Sequence, residues 1–158
     1  RFVNENAAHR QLGGELGLRA FPARGVDLHA SYALHETSPM DAPAQLGREL
    51  DQRTSRHKLS AGLQYRSPIG LDLSLDLQWV SSQVWAIQVT DLERGGIVFQ
   101  PFELPSYHVL SARVGYRFAD EKLDIGIVGT NLTDPGHREH PFGQPVPRRF
   151  LLTLTARI

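Results

Sequence analysis

The sequence predicts an all-β fold, an antiparallel up-and-down sheet of about seven strands forming a segment of a transmembrane β-barrel, with short turns at one end and long loops at the other. Three observations predict it. Between Gly70 and Val80 the chain sets Leu71, Leu73, Leu75, Leu77 and Trp79 on every second position, with Asp72, Ser74, Asp76 and Gln78 between them. Successive side chains of a pleated strand point to opposite sides, so this segment has one apolar and one polar face; a helix would scatter both sets around its circumference. The same period of two returns along the rest of the chain. The connections between these runs alternate between tight and long.

Taken in order, the first run covers roughly residues 9 to 22, with Leu12, Gly14, Leu16, Leu18 and Ala20 facing one way and Glu15, Gly17 and Arg19 the other. It closes at Pro22-Ala23-Arg24-Gly25, where proline restricts and glycine frees the backbone angles that a tight turn needs. The second run sets Val26, Leu28, Ala30, Tyr32 and Leu34 against Asp27, His29, Ser31 and His35, and a long polar segment follows over about residues 36 to 55. The third sets Leu59, Ala61, Leu63 and Tyr65 against Ser60, Gly62 and Gln64, and turns at Ser67-Pro68-Ile69-Gly70. The Leu71 strand is expected to continue past Trp79 towards Val89, with its phase blurred at Ser81-Ser82. Residues 91 to 105, with Gly95-Gly96, Pro101 and Pro105, are expected to form a second long loop.

The fifth run alternates Leu110, Ala112, Val114, Tyr116 and Phe118 with Ser111, Arg113, Gly115 and Arg117, and turns at Asp120-Glu121-Lys122. Leu123, Ile125 and Ile127 open the sixth, whose phase is lost after Val128-Gly129. A third long loop, about residues 134 to 147, leads to the last run, where Phe150, Leu152, Leu154, Ala156 and Ile158 oppose Arg149, Leu151, Thr153, Thr155 and Arg157.

Composition removes several classes of function. Lysine plus arginine and aspartate plus glutamate number 17 each over 158 residues, so net charge gives no reason to expect nucleic acid as a partner. Cysteine is absent, which excludes disulfides and thiolate metal sites. No apolar stretch approaches the roughly 20 residues of a membrane-spanning helix, so any crossing of a bilayer is by strands. The N-terminal Arg1-Phe2-Val3-Asn4-Glu5-Asn6 lacks the apolar core of a signal peptide, and the expectation is a mature chain or a piece of a longer one.

Bacterial outer-membrane barrels have short periplasmic turns and longer extracellular loops. From Leu71 to Trp79 a rise of about 3.3 Å per residue, tilted by about 40°, spans roughly 20 Å along the membrane normal, close to the height of such a barrel's apolar band. Tyr65, Tyr116 and Phe118 lie beside the short turns, and Trp79 and Phe150 towards the long loops, as two interfacial girdles require. Alternation by itself also fits a soluble antiparallel sheet, since it does not say whether the apolar face meets lipid or a core.

The C-terminal third carries a resemblance. Tyr107-His108-Val109-Leu110-Ser111-Ala112-Arg113-Val114-Gly115-Tyr116-Arg117-Phe118, then Val128-Gly129-Thr130-Asn131-Leu132-Thr133-Asp134, then Arg138-Glu139-His140-Pro141-Phe142-Gly143, then Pro147-Arg148-Arg149-Phe150 resemble the end of a TonB-dependent outer-membrane receptor. In that family the penultimate strand ends in Asn-Leu-x-Asp, a polar loop follows, and a basic pair opens the final strand. The chain departs from the pattern at Thr133 and at Ile158, where the family usually has aromatic residues.

The resemblance implies active uptake through a barrel of about 22 strands plugged by an N-terminal domain and energised by TonB. Seven is an odd strand count, whereas single-chain bacterial barrels normally have an even one, and an open sheet leaves two unpaired edges in lipid. Residues 1–158 are therefore expected to be the C-terminal portion of a receptor barrel, without its plug domain, in the outer membrane of a Gram-negative bacterium. Implied partners are outer-membrane lipid, the remaining strands and plug of the parent receptor, the TonB complex acting through that plug, and a small metal chelate. An iron–siderophore complex is the family's commonest substrate; cobalamin, nickel chelates and sugars stay open. Two other readings stay open too: a stand-alone small barrel, porin or adhesin, with an eighth strand near residues 1 to 8 or from another chain, and a soluble ligand-binding β-barrel.

Candidate substrate contacts are loop or strand-end residues at the long-loop end: His137, Arg138, Glu139, His140, Arg148 and Arg149. Imidazole beside carboxylate in His137-Arg138-Glu139-His140 raises the question of a metal, but the segment lacks a helix that would hold both histidines on one face, and no metal site is expected. His57 and His108, like Arg148 and Arg149, read as strand-end polar groups near the outer interface. No serine-histidine-acid order, phosphate-cradling glycine loop or catalytic carboxylate pair stands out, so neither a cofactor nor an enzyme activity is expected.

Overall fold

The structure, a computed structural model, describes residues 9–39, 53–93, 95–118, 122–134 and 136–157. Among the described residues nine strands follow one another: β1 (His9–Ala20), β2 (Val26–Pro39), β3 (His57–Arg66), β4 (Leu71–Val80), β5 (Gln83–Asp91), β6 (Gly96–Leu104), β7 (Tyr107–Phe118), β8 (Leu123–Thr130) and β9 (Arg149–Ala156). Seven of them build one antiparallel sheet in the order β1-β2-β3-β4-β7-β8-β9, while β5 and β6 pair only with each other. The expected seven-stranded up-and-down wall is present, and it is open, with β1 and β9 as its edges.

Two expected boundaries change. The Leu71 strand does not run on towards Val89; β4 ends at Val80, and β5 begins after Ser81-Ser82. Nor is the span from 91 to 105 a loop, because Gly96–Leu104 forms β6, registered on β5 from Gln83↔Leu104 to Asp91↔Gly96. The chain thus leaves the wall at Val80 and returns at Tyr107, and β4 pairs directly with β7 from Val80↔Tyr107 to Leu71↔Tyr116. Pro101 sits in β6 without breaking the ladder, since a strand of a two-stranded sheet has one side free of backbone partners. β2 also reaches further than its alternation suggested, to Pro39. The expected loop core at 40–52, the turn residues Asp120 and Glu121, residues 1–8 and Ile158 lie outside the described residues.

Register carries the alternation of each strand across the whole wall. One row reads Ala20, Leu28, Leu63, Leu75, Ala112, Gly129 and Phe150 from β1 to β9, and the next reads Val26, Tyr65, Leu73, Val114, Ile127 and Leu152. Rows of the other parity are polar over β2 to β7, for example Asp27, Gln64, Ser74 and Arg113, a row that continues into Val128 and Leu151 in β8 and β9. The apolar face is bare: Leu16 is 74 % exposed, Leu18 69 %, Leu152 76 % and Leu154 68 %, and among the described residues only Leu104 and Pro141 are buried apolar side chains. Enclosing a leucine side chain is worth about 1.5–3 kcal/mol, so a seven-strand face of this kind in water would forgo a large part of the driving force for folding. An apolar medium outside the sheet supplies it.

The tight turns lock onto the neighbouring strand. Gly25 (φ 77°) and Gly70 (φ 95°) adopt the left-handed region, and a Cβ at either would collide with the carbonyl of Arg66 or of Arg117. The carbonyls of those glycines accept from the amides of the same two arginines, at 2.7 Å (Arg66) and 2.9 Å (Arg117). At the third short turn the amide of Arg157 donates to Lys122 O at 2.8 Å.

Candidate functional site

At the long-loop end the chain between β8 and β9 folds back on itself. Asn131 carries a left-handed backbone (φ 53°), is 1 % exposed, and donates from Nδ2 to Val146 O at 2.7 Å. Asparagine tolerates that backbone better than most residues, and its amide spans the gap that the turn creates. The loop is tied again where Leu132 N donates to Leu110 O at 2.8 Å and Val146 N to His137 O at 2.9 Å. This gives Asn-Leu-x-Asp a physical role: the asparagine reverses the chain and holds the far end of the loop.

Among the six candidate residues, His137 is interior to the loop. Its side chain is 4 % exposed and its ring stacks on Tyr107, the first residue of β7, with centroids 4.3 Å apart and planes 11° from parallel. Nε2 lies 3.3 Å from Glu139 Oε1, whereas Nδ1 faces Asp134 Oδ2 at 3.8 Å. The two nitrogens therefore address different carboxylates, the donors do not converge on one point, and no metal-holding cluster of three such residues occurs among the described residues.

His140 belongs to a second group. Its ring meets the edge of Trp85 in β5 at 4.7 Å and neighbours Phe142 at 5.8 Å, while Phe142 N donates to His140 Nδ1 at 3.2 Å. The guanidinium of Arg53, from the β2–β3 connection, lies 5.8 Å over the Trp85 ring. Three separate connections thus meet at Trp85, with Phe142 left 75 % exposed. Arg138, Arg148 and Arg149 are exposed, and Arg149 pairs in register with Thr130 at the start of β9. The structure brings His137 to Glu139 and His140 to Phe142; it does not gather all six residues at one point. Sequence reasoning missed Tyr107 because its contact with His137 depends on how the β8–β9 loop folds back on β7, and Trp85 and Arg53 because theirs depends on the β5–β6 hairpin.

The polar face is charged but largely matched within the wall. Arg117 Nε donates to Asp72 Oδ2 at 2.8 Å and Nη2 to Ser67 O at 3.2 Å, with Arg66 Nε 3.4 Å from the other oxygen of Asp72. Arg113 reaches Asp124 at 2.5 Å across Gly115 and Gly126, where a Cβ would lie within 3 Å of its guanidinium. His29 and Asp76 approach to 3.5 Å over Gly62. Arg113 and Arg117 of β7 are thus held by aspartates of the sheet. A hollow of about 770 Å³ lies beside them at the short-turn end, lined by Asp27, Gln64, Arg66 and Asp72 among others.

The chain is similar in fold to parts of larger receptors. The ferripyoverdine receptor of the outer membrane of Pseudomonas aeruginosa, solved with ferripyoverdine, superposes with a TM-score of 0.73 at 16 % identity, covering 92 % of this chain and 19 % of that one. The complex of FpvAI with pyocin S2 gives 0.74 at 16 % identity, with the same coverage. Fiu, the ferric-catecholate import receptor of E. coli K12, gives 0.69 at 21 % identity, covering 92 % of this chain and 20 % of that one. The chain therefore spans about one fifth of the length of these neighbours. No curated protein sequence matches it. The family described as TonB dependent receptor-like, beta-barrel, matches residues 1–132, which take in β1 to β8 and the reversal at Asn131, so the chain belongs to the TonB-dependent receptors as part of their β-barrel.

Proposed function

We propose that this chain is the C-terminal portion of an outer-membrane active-transport receptor that takes up a scarce metal chelate, an iron–siderophore complex, with energy delivered through TonB. Family membership supports the receptor part of the proposal. The observation that carries the membrane part is the bare apolar face running across all seven strands opposite a polar one. Short turns then lie in the periplasm and the β5–β6 hairpin and the β8–β9 loop outside the cell. The chelate is supported by the neighbours, whose names record ferripyoverdine and ferric catecholate as cargo.

Within this reading, the exposed ring of Phe142, the His140–Trp85 pair beneath it and the cations of Arg138, Arg148 and Arg149 offer flat and positively charged contacts to an anionic chelate. A plug domain in the rest of the receptor covers the polar face. Uptake of radiolabelled ferric chelates by cells carrying the intact receptor tests the proposal: accumulation of at least one chelate, abolished by deletion of the receptor and by loss of TonB, is expected. Passive, TonB-independent flux of small solutes would instead identify a porin.

A further inference from the structure

The apolar face of the wall carries charge at one end only. Among the described residues of the seven wall strands, the charged and histidine side chains on this face are Arg10 in β1, Glu36 in β2, His57 in β3 and His108 in β7, all near the long connections. At the short-turn end the same face holds Tyr65, Tyr116 and Phe118 among aliphatic residues. The charged strand residues at that end, Arg19, Asp27, Arg66, Asp72, Arg117 and Asp124, stand on the polar face instead.

Register joins several of these groups into a patch. Tyr32, Leu59, Trp79 and His108 follow one another in a single row from β2 to β7, with Trp79 directly opposite His108, and His57 lies one row further out, opposite Leu34. The phenol of Tyr32 meets His57 Nδ1 at 2.7 Å, with the ring centroids 6.1 Å apart. With Tyr32 as donor, the proton of the His57 ring sits on Nε2. That nitrogen, the indole N–H of Trp79, the His108 ring and the Arg10 guanidinium have no partner among the described residues. The one acid of the face, Glu36, is already met by Arg56 at 3.4 Å. The patch therefore offers donors and a cation but no free carboxylate, beside amphipathic rings of the kind that sit at headgroup level. Its complement is an anionic group rich in acceptor oxygens. We infer that this patch seats the phosphate-bearing headgroup of a lipid in the outer leaflet, with His57, Trp79 and His108 donating to its oxygens and Arg10 flanking them. The inference rests on the reading of the bare face as lipid-facing.

Native mass spectrometry of the intact receptor, purified in detergent and mixed with lipid A carrying its phosphates or with the same lipid A enzymatically dephosphorylated, tests it. The phosphorylated form is expected to stay bound about tenfold more than the dephosphorylated one. Combining His57→Ala with His108→Ala is expected to remove that preference, and combining His57→Arg with His108→Arg to keep it; heat-modifiable gel mobility reports that both variants are folded. Equal retention of the two forms, or an unchanged preference in the folded double-alanine variant, overturns the inference and leaves the membrane reading standing. So does loss of the preference in the folded double-arginine variant, which would tie it to the imidazole shape and not to donation and charge. A receptor that stays folded and monomeric with no detergent at all overturns the membrane reading and the inference with it.

Discussion

Asn131 does two jobs with one side chain, and substitution separates them. Asn131→Ala removes the bond to Val146 O and places a Cβ-bearing residue without a compensating amide at φ 53°. Asn131→Gly loses the bond but keeps the backbone relaxed. The alanine variant is expected to lose about 1–3 kcal/mol in urea unfolding of the detergent-solubilised receptor, and the glycine variant less. Arg117 makes a sharper case. Its side chain is 6 % exposed against 12 % for Asp72, and Arg117→Ala leaves a mostly enclosed carboxylate with Arg66 as its remaining charged neighbour. A loss of about 3 kcal/mol is expected. Arg19→Ala, at 66 % side-chain exposure, removes a solvent-screened pair and is expected to cost much less than Arg117→Ala. Equal losses for the two variants in the same unfolding measurement would contradict this account of the polar face.

At the scale of elements, the wall and the β5–β6 hairpin are separable. Because β4 pairs with β7 over its full length, deleting residues 83–104 and joining Ser82 to Pro105 leaves every ladder of the seven-stranded sheet in place. The shortened receptor is expected to keep the retarded, heat-modifiable gel mobility of a folded barrel while its chelate binding falls, since Trp85 no longer supports His140. Loss of folding on deletion would mean that the hairpin helps to build the wall. The hairpin was not legible in the sequence for a local reason. Ser81-Ser82 interrupts the period of two, and Gly95-Gly96 and Pro101, which normally signal a loop, here sit at the turn and inside β6. The strands of the wall were legible because most present an alternation to two different surroundings, with the phase blurred only at Val128 in β8 and Leu151 in β9. The candidate loop was legible only as a set of polar residues, and nothing in its spacing distinguished enclosed His137 from exposed Arg138.

For the whole molecule, the assignment of faces is the statement most open to test. Leu75 and Ser74 are adjacent in β4 but belong to opposite faces, with Leu75 in the row from Ala20 to Phe150 and Ser74 in the row with Arg113. Leu75→Arg is expected to destabilise the barrel in lipid by about 2–4 kcal/mol, whereas Ser74→Arg changes stability much less. Urea titration of the receptor folded into vesicles measures both. The reverse ranking would turn the sheet inside out. The open edges belong to this scale too: no strand among the described residues covers β1 or β9.

By itself the sequence determined the two faces of most wall strands and the rhythm of short turns and long loops. These are local properties: the side-chain period of two is built into an extended backbone, and turn residues act through their own φ and ψ. Tertiary structure alone decided that β4 neighbours β7, that His137 lies against Tyr107, and that Arg117 of β7 holds Asp72 of β4. Such pairings depend on which hydrogen-bond ladders form once intervening segments have looped away, and their energy resides between residues that are far apart in sequence.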